Sequence, residues 1–142
     1  MKLTFNDILI RIILSFILGG IIGWEREKKK RDAGLRTHIL VSIGSTLIML
    51  VSLHIYDIYS PYANIDPARI ASGVVTGIGF LGAGAIVRSA EQIKGLTTAA
   101  TIWVSSAIGL SVGLGFLSAA VVTTVIVFFT LTFLKKVEKS IE

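Results

Sequence analysis

The chain has 142 residues, of which 53% are hydrophobic and only 16% charged, a composition too apolar for a soluble domain of that length. Its formal net charge of +5 and pI near 9.8 therefore raise the question of which side of a membrane the charges occupy, before any question of nucleic acid. There is no cysteine, so disulfides, thiol chemistry and thiolate metal sites are excluded.

Five apolar segments approach the ~20 residues that carry a helix across a hydrocarbon core. They run from Phe5 to Gly23, Thr37 to Tyr56, Pro67 to Val87, Leu96 to Val112 and Phe116 to Leu134. The expected fold class is all-α, a polytopic membrane bundle of about five transmembrane helices, forming one domain over residues 1–142. The links are short, which predicts antiparallel neighbours packed together. The fourth segment is the shortest of the five and allows a partly re-entrant span.

The first segment is followed by Trp24-Glu25-Arg26-Glu27-Lys28, with no small-residue cleavage site, so it is expected to remain as an anchor. From Arg11 to Glu25 the helix rises only about 20 Å, which places Arg11 inside the outer part of that span. Asp7 stands four residues earlier on the same face and is its natural partner. The third segment opens Asp66-Pro67-Ala68-Arg69, where Asp66 can cap the helix and Pro67 occupy its first turn. Asp7, Arg11, Asp66 and Arg69 are thus candidates for one outer-side polar cluster. Equally, Arg11 can snorkel outward while the aspartates stay wet.

Every lysine and arginine except Lys2, Arg11 and Arg69 lies in residues 24–36, 88–95 or the tail from Lys135. In a five-span chain all three regions fall on one side, and the opposite link from Asp57 to Asp66 has no basic residue. The positive-inside rule then puts the N-terminus outside and the C-terminus in the cytoplasm. The run from Glu25 to Arg31 reads as an orienting loop at an anionic lipid surface, and it lacks the interleaved aromatic residues that would favour nucleic acid. Glu25, Arg26, Arg36, Thr37 and His38 form a second candidate cluster at this end, against the simpler picture of an interfacial loop with Thr37 as a helix cap.

Gly77-Ile78-Gly79-Phe80-Leu81-Gly82-Ala83-Gly84 contains the G-x-G-x-x-G spacing of dinucleotide-binding folds. That fingerprint needs a strand, a turn, a helix and an acidic residue about 20 positions on. Leu96 to Trp103 offers no carboxylate, and no Gly-Lys-Ser or Gly-Lys-Thr follows, so neither dinucleotide nor phosphate-loop binding is expected. Small residues instead let helix backbones approach in lipid. Gly73 and Gly77 form one such step, Gly79 and Ala83 continue another small face with Gly82 and Gly84 beside it, and Gly109 and Gly113 repeat the device. His38, Ser42, Ser45 and Ser52 share one face of the second segment, and Thr98, Thr101 and Ser105 mark the fourth; such stripes cost less facing protein than acyl chains. A glycine cluster also weakens a helix, so the third segment is open to a second arrangement, a broken span lining a cavity.

No residue pattern announces an enzyme. His38 and His54 lie toward opposite ends of one helix, no HExxH occurs, and no convergent pair of carboxylates marks a magnesium site. No cofactor is expected.

Several motifs in order, Gly23-Trp24-Glu25-Arg26-Glu27, Ala33-Gly34-Leu35-Arg36-Thr37-His38, Arg69-Ile70-Ala71, the glycine run and Gly95-Leu96-Thr97-Thr98-Ala99-Ala100 with Trp103, make the chain resemble the MgtC/SapB family of bacterial membrane proteins. The matching positions are Glu25, Arg26, Gly34, Arg36, Thr37, Arg69, Gly79, Gly82, Gly84, Gly95, Thr97 and Thr98. The resemblance implies a multi-pass inner-membrane protein linked to growth under magnesium limitation and, in intracellular pathogens, to survival inside macrophages. Many members look to carry a C-terminal ACT-like domain, whereas this sequence stops at Glu142, soon after its fifth segment. The expected partners are the lipid bilayer and either a second copy or another membrane protein, in a nonenzymatic role under magnesium or acid stress. The competing expectation is a small oligomeric ion carrier or channel with Asp7, Arg11 and Arg69 at its outer mouth.

Overall fold

A computed structural model describes residues 3–88 and 92–134; the tail lysines Lys135, Lys136 and Lys139 lie outside the described residues. Five helices follow one another, α1 (Phe5–Lys28), α2 (Leu35–Tyr59), α3 (Ala68–Gly84), α4 (Leu96–Leu114) and α5 (Leu117–Phe129), the last extended by a π-helical turn, Thr130–Leu134. Between α3 and α4 two short antiparallel strands, β1 (Val87–Arg88) and β2 (Ile93–Lys94), form a hairpin. Four helices are long and apolar enough to cross a membrane, α5 counting its π turn, and α3 is a shorter apolar helix of 17 residues. The protein is a multi-pass helical membrane bundle.

Local chemistry sets the helix ends. Thr4 and Asp7 form a reciprocal capping box that starts α1. That helix does not stop at Gly23 but continues to Lys28, so Glu25 and Arg26 stand on helix and not in a loop. Helix α2 begins at Leu35, whose N–H donates to Glu27 Oε2 at 2.9 Å, which leaves Thr37 inside the first turn and not at the cap. At the start of α3, Ala68 N–H donates to Asp66 Oδ1 at 2.8 Å, but Pro67 sits at the cap position and not in the first turn, because the helix begins at Ala68. The third helix is continuous through its glycines and ends at Gly84, three residues short of the expected Val87, because the chain turns into the hairpin. Nor is the fourth helix the shortest: α4 spans 19 residues, long and apolar enough to cross a membrane, and α3 is shorter. Gly95, ahead of α4, has φ +90°, and the Ala85 carbonyl fills the place a Cβ would take, so both backbone and space require glycine there.

The inner seam joins α1, α2 and α4. Gly19 lies against the His38 carbonyl and Ser42 of α2, and Gly23 against Gly34 and Leu35, so α1 and α2 run antiparallel. Gly109 meets Ser42 and Ser45, and Gly113 meets Thr46 and Met49, so α2 and α4 run parallel. Thr46 Oγ1 donates to the Gly109 carbonyl at 2.8 Å and ties the two helices together. Close approach through glycine and an interhelical hydrogen bond are what lipid demands where burial gives no hydrophobic drive. The stripe of Ser42, Ser45, Ser52, Thr98, Thr101 and Ser105 is buried throughout. Helix α5 covers α1 and α4 with Leu18, Ile22, Ile108, Val112 and Ala120 between them, and α3 lies on α4 and more lightly on α2.

Candidate functional site

At the end of the bundle where α1 starts, the four expected cluster residues have separate duties. Asp7 accepts from the Thr4 N–H and hydroxyl at 2.9 and 2.7 Å and so serves its own helix start. Arg11 crosses instead to α4, where Nη1 donates to the Gly113 carbonyl at 2.6 Å. Its guanidinium lies beside Gly115, the left-handed residue that ends α4 at φ +93°. A cation at a helix C-terminus satisfies carbonyls that the helix leaves unpaired and favours its dipole. Asp66 starts α3, and Arg69 is exposed on its first turn. Hydrogen bonds thus tie Arg11 to α4 and Asp7 to Thr4, while the Arg11 charge also acts on the Asp7 carboxyl. Replacing Arg11 by Met is expected to cost ~1.5–3 kcal/mol, the worth of a charged hydrogen bond, read from unfolding of the detergent-purified protein. A change within ~0.5 kcal/mol would show that Arg11 is not needed to close α4.

At the opposite, lysine-rich end, charged groups are buried. Glu25 and Arg26 of α1 are each 4% exposed, and His38 of α2 is fully enclosed. Arg26 Nη1 lies 3.7 Å from Glu25 Oε2, and the Lys29 ammonium pairs with Glu25 Oε1. Lys29 also donates to the Leu131 carbonyl, at 2.6 Å, inside the π-helical turn that closes α5. His38 Nδ1 is 2.8 Å from the Gly34 carbonyl, while Nε2 has no partner. Arg26 Nε and the hydroxyls of Ser42 and Ser105 are likewise buried and unpartnered. Of the expected group at this end, Glu25, Arg26 and His38 are inside, Arg36 is exposed and Thr37 half-buried. Lys29 was not expected here, although its place four residues after Glu25 is the helical pairing distance.

A cleft of about 480 Å³ opens beside this group, lined by Arg26 and Arg31, by Gly95, Leu96, Thr97 and Thr98 at the start of α4, and by the π turn. Thr98 is buried and Thr97 exposed. No side chain caps α4, so the N–H groups of Leu96, Thr97 and Thr98 lack intrahelical partners.

Of the expected packing glycines in the third helix, only Gly82 meets another helix, at 3.7 Å from Ala99 of α4. Gly73, Gly77, Gly79 and Gly84 have nothing within 4 Å of where a Cβ would stand. Gly73 and Gly77 border an open apolar groove of about 810 Å³ between α3 and α2, with Gly44, also unfilled, on its other wall. Phe80, on the same side of α3, is 83% exposed.

The MgtC family profile matches residues 12–140, from the level of Arg11 through the tail. The chain belongs to the MgtC family. It is 50% identical over 111 residues to "Putative magnesium transporter YhiD" of Escherichia coli K12, covering 77% of this chain and 52% of that protein. It is 45% identical over 114 residues to Protein MgtC of Brucella abortus, covering 80% of this chain and 45% of that one. An uncharacterized Synechocystis protein is 41% identical over 127 residues, 88% of this chain and 51% of its own length. The chain thus spans about half the length of the curated relatives it matches. No solved structure matches. In this MgtC-family bundle the buried Glu25 and Arg26 and the start of α4 at Gly95 to Thr98 lie at the same end, although some 70 residues separate them in sequence.

Proposed function

We propose that this chain acts without catalysis, by binding another helix in the bacterial inner membrane, and that the first occupant of its α2–α3 groove is a second copy of itself. The observation that carries this is the open glycine face of α3 at Gly73 and Gly77. Elsewhere in the bundle a glycine step holds a neighbouring backbone, as Gly19, Gly109 and Gly113 do. The groove between α2 and α3 is lined by apolar side chains and small residues with no charge, which suits an apolar helix. A two-fold axis along the membrane normal would set α3 against α3, glycine facing glycine, in the way small-xxx-small helices pair.

Magnesium limitation or acid stress is the setting in which we place this association, with the magnesium named for YhiD as support. The alternative is a small oligomeric magnesium carrier or channel. Backbones touch along the inner seam of a single copy, and among the described residues no three His, Asp or Glu side chains gather to hold a metal ion. An ion path would then run between copies and would need the same association.

Because the chain lacks cysteine, Phe80→Cys introduces a single thiol on the open face. Oxidation in native membranes is expected to yield a disulfide-linked dimer, and adding Gly73→Leu and Gly77→Leu to remove it while the helical content of the purified protein stays unchanged. Monomer alone from Phe80→Cys, or a dimer indifferent to the leucines, would overturn the proposal.

A further inference from the structure

We propose that the cleft at the lysine-rich end is a binding site for a phosphate group. Helix α4 points its start into the cleft with three N–H groups that have no intrahelical partner and no side-chain cap. Such a terminus favours an anion through both its donors and its dipole. Gly95 at the cap has no side chain to shield them, and its backbone conformation keeps it glycine.

A second observation is independent of that helix. Arg26 comes from α1, is 4% exposed and lines the cleft, yet its Nε has no hydrogen-bond partner. A buried guanidinium donor without an acceptor is costly, and an oxyanion in the cleft would meet it. Arg31, exposed at the rim, adds a second guanidinium. The one buried carboxylate here, Glu25, is engaged by Arg26 and by Lys29. Among the described residues that line the cleft, Arg26 and Arg31 are charged and none is acidic.

The donor set selects the ligand. Guanidinium forks, backbone N–H groups and threonine hydroxyls converge from different directions, and a tetrahedral oxyanion presents acceptors to all of them. The cleft, at about 480 Å³, is larger than one phosphate and leaves room for an ester substituent. Trp24, half exposed with Lys28 stacked over its ring at 5.1 Å, marks the headgroup level on the same turns of α1. A phospholipid headgroup and a soluble phosphate share this chemistry, and the test separates them.

The full chain, purified in dodecyl maltoside, which carries no phosphate, is titrated with inorganic phosphate against chloride at matched ionic strength, and separately with phosphatidylglycerol against diacylglycerol. Thermal midpoint and native mass spectrometry are read for the unaltered protein, Arg31→Gln, Arg26→Gln and Lys28→Gln. A saturable rise in midpoint is expected with at least one phosphate ligand. Its half-saturation should move about tenfold higher in Arg31→Gln, as loss of a charged contact implies, and little in Lys28→Gln, which lies outside the cleft. Response to inorganic phosphate assigns a soluble source; response to phosphatidylglycerol alone assigns a lipid. No saturable response to either, or equal weakening by Lys28→Gln and Arg31→Gln, overturns the site. Arg31 is exposed, so its variant decides the matter even where Arg26→Gln fails to fold.

Discussion

Gly109→Leu is expected to yield no folded protein, and Gly109→Ala to lose ~2–3 kcal/mol, at the upper range for overpacking a well-filled site. The Cβ of alanine would stand on the Ser42 carbonyl and 2.9 Å from the Ser45 Cβ, and backbone cannot swing aside as a flexible side chain can. Separating α2 from α4 to make room would also stretch the Thr46 bond to the Gly109 carbonyl. Gly73→Ala is the control, since nothing lies within 4 Å of its Cβ position, and it should stay within ~0.5 kcal/mol of the parent. Unfolding of purified protein by denaturing detergent, followed by circular dichroism, measures both. Equal stability of Gly109→Ala and Gly73→Ala would mean that the seam is looser than drawn.

The second large effect belongs to Glu25. Changing it to Gln removes the one carboxylate that Arg26 and Lys29 share in a closed environment. Taking away one partner of a buried pair typically costs ~3–5 kcal/mol, because the remaining charge is stranded. Glu25→Gln with Arg26→Gln should recover part of that loss, because the double variant leaves no guanidinium unpaired. If the double variant is less stable than the single one by the full cost of Arg26→Gln alone, the two residues are not coupled and the pair is not the reason for their burial.

Much of the bundle was legible from hydrophobic length and charge placement, because both act locally: an apolar run of sufficient length makes a span whatever it packs against. The seam was half legible. Gly109 and Gly113 showed themselves as a step, and the serine and threonine stripes on α2 and α4 pointed inward as they should. Gly19 and Gly23 have the same spacing and close the seam against α2, with buried Ser15 one turn before them. In α3 the same pattern misled within a single chain, since spacing tells that a face is smooth but not what touches it; only Gly82 of that run meets α4. The pairing of Arg11 with Gly113, 102 positions away, could not be foreseen, whereas Asp7 beckoned from one turn off. Glu25 and Arg26 looked like loop residues because an apolar count ends at Gly23, while the helix itself ends at Lys28.

The parallel run of α2 and α4 has a geometric consequence. Two adjacent helices pointing the same way cannot be joined by a tight turn; the chain must first travel back along the bundle, and α3 is that return journey. A return leg has only to be apolar and nearly long enough, so it is spared the exacting fit that governs the other helices. Away from Ile78 and Gly82, which are buried, residues there can change without endangering the bundle. The inner glycines answer to this chain's own architecture, while Gly73, Gly77, Gly79 and Gly84 of α3 meet nothing within it.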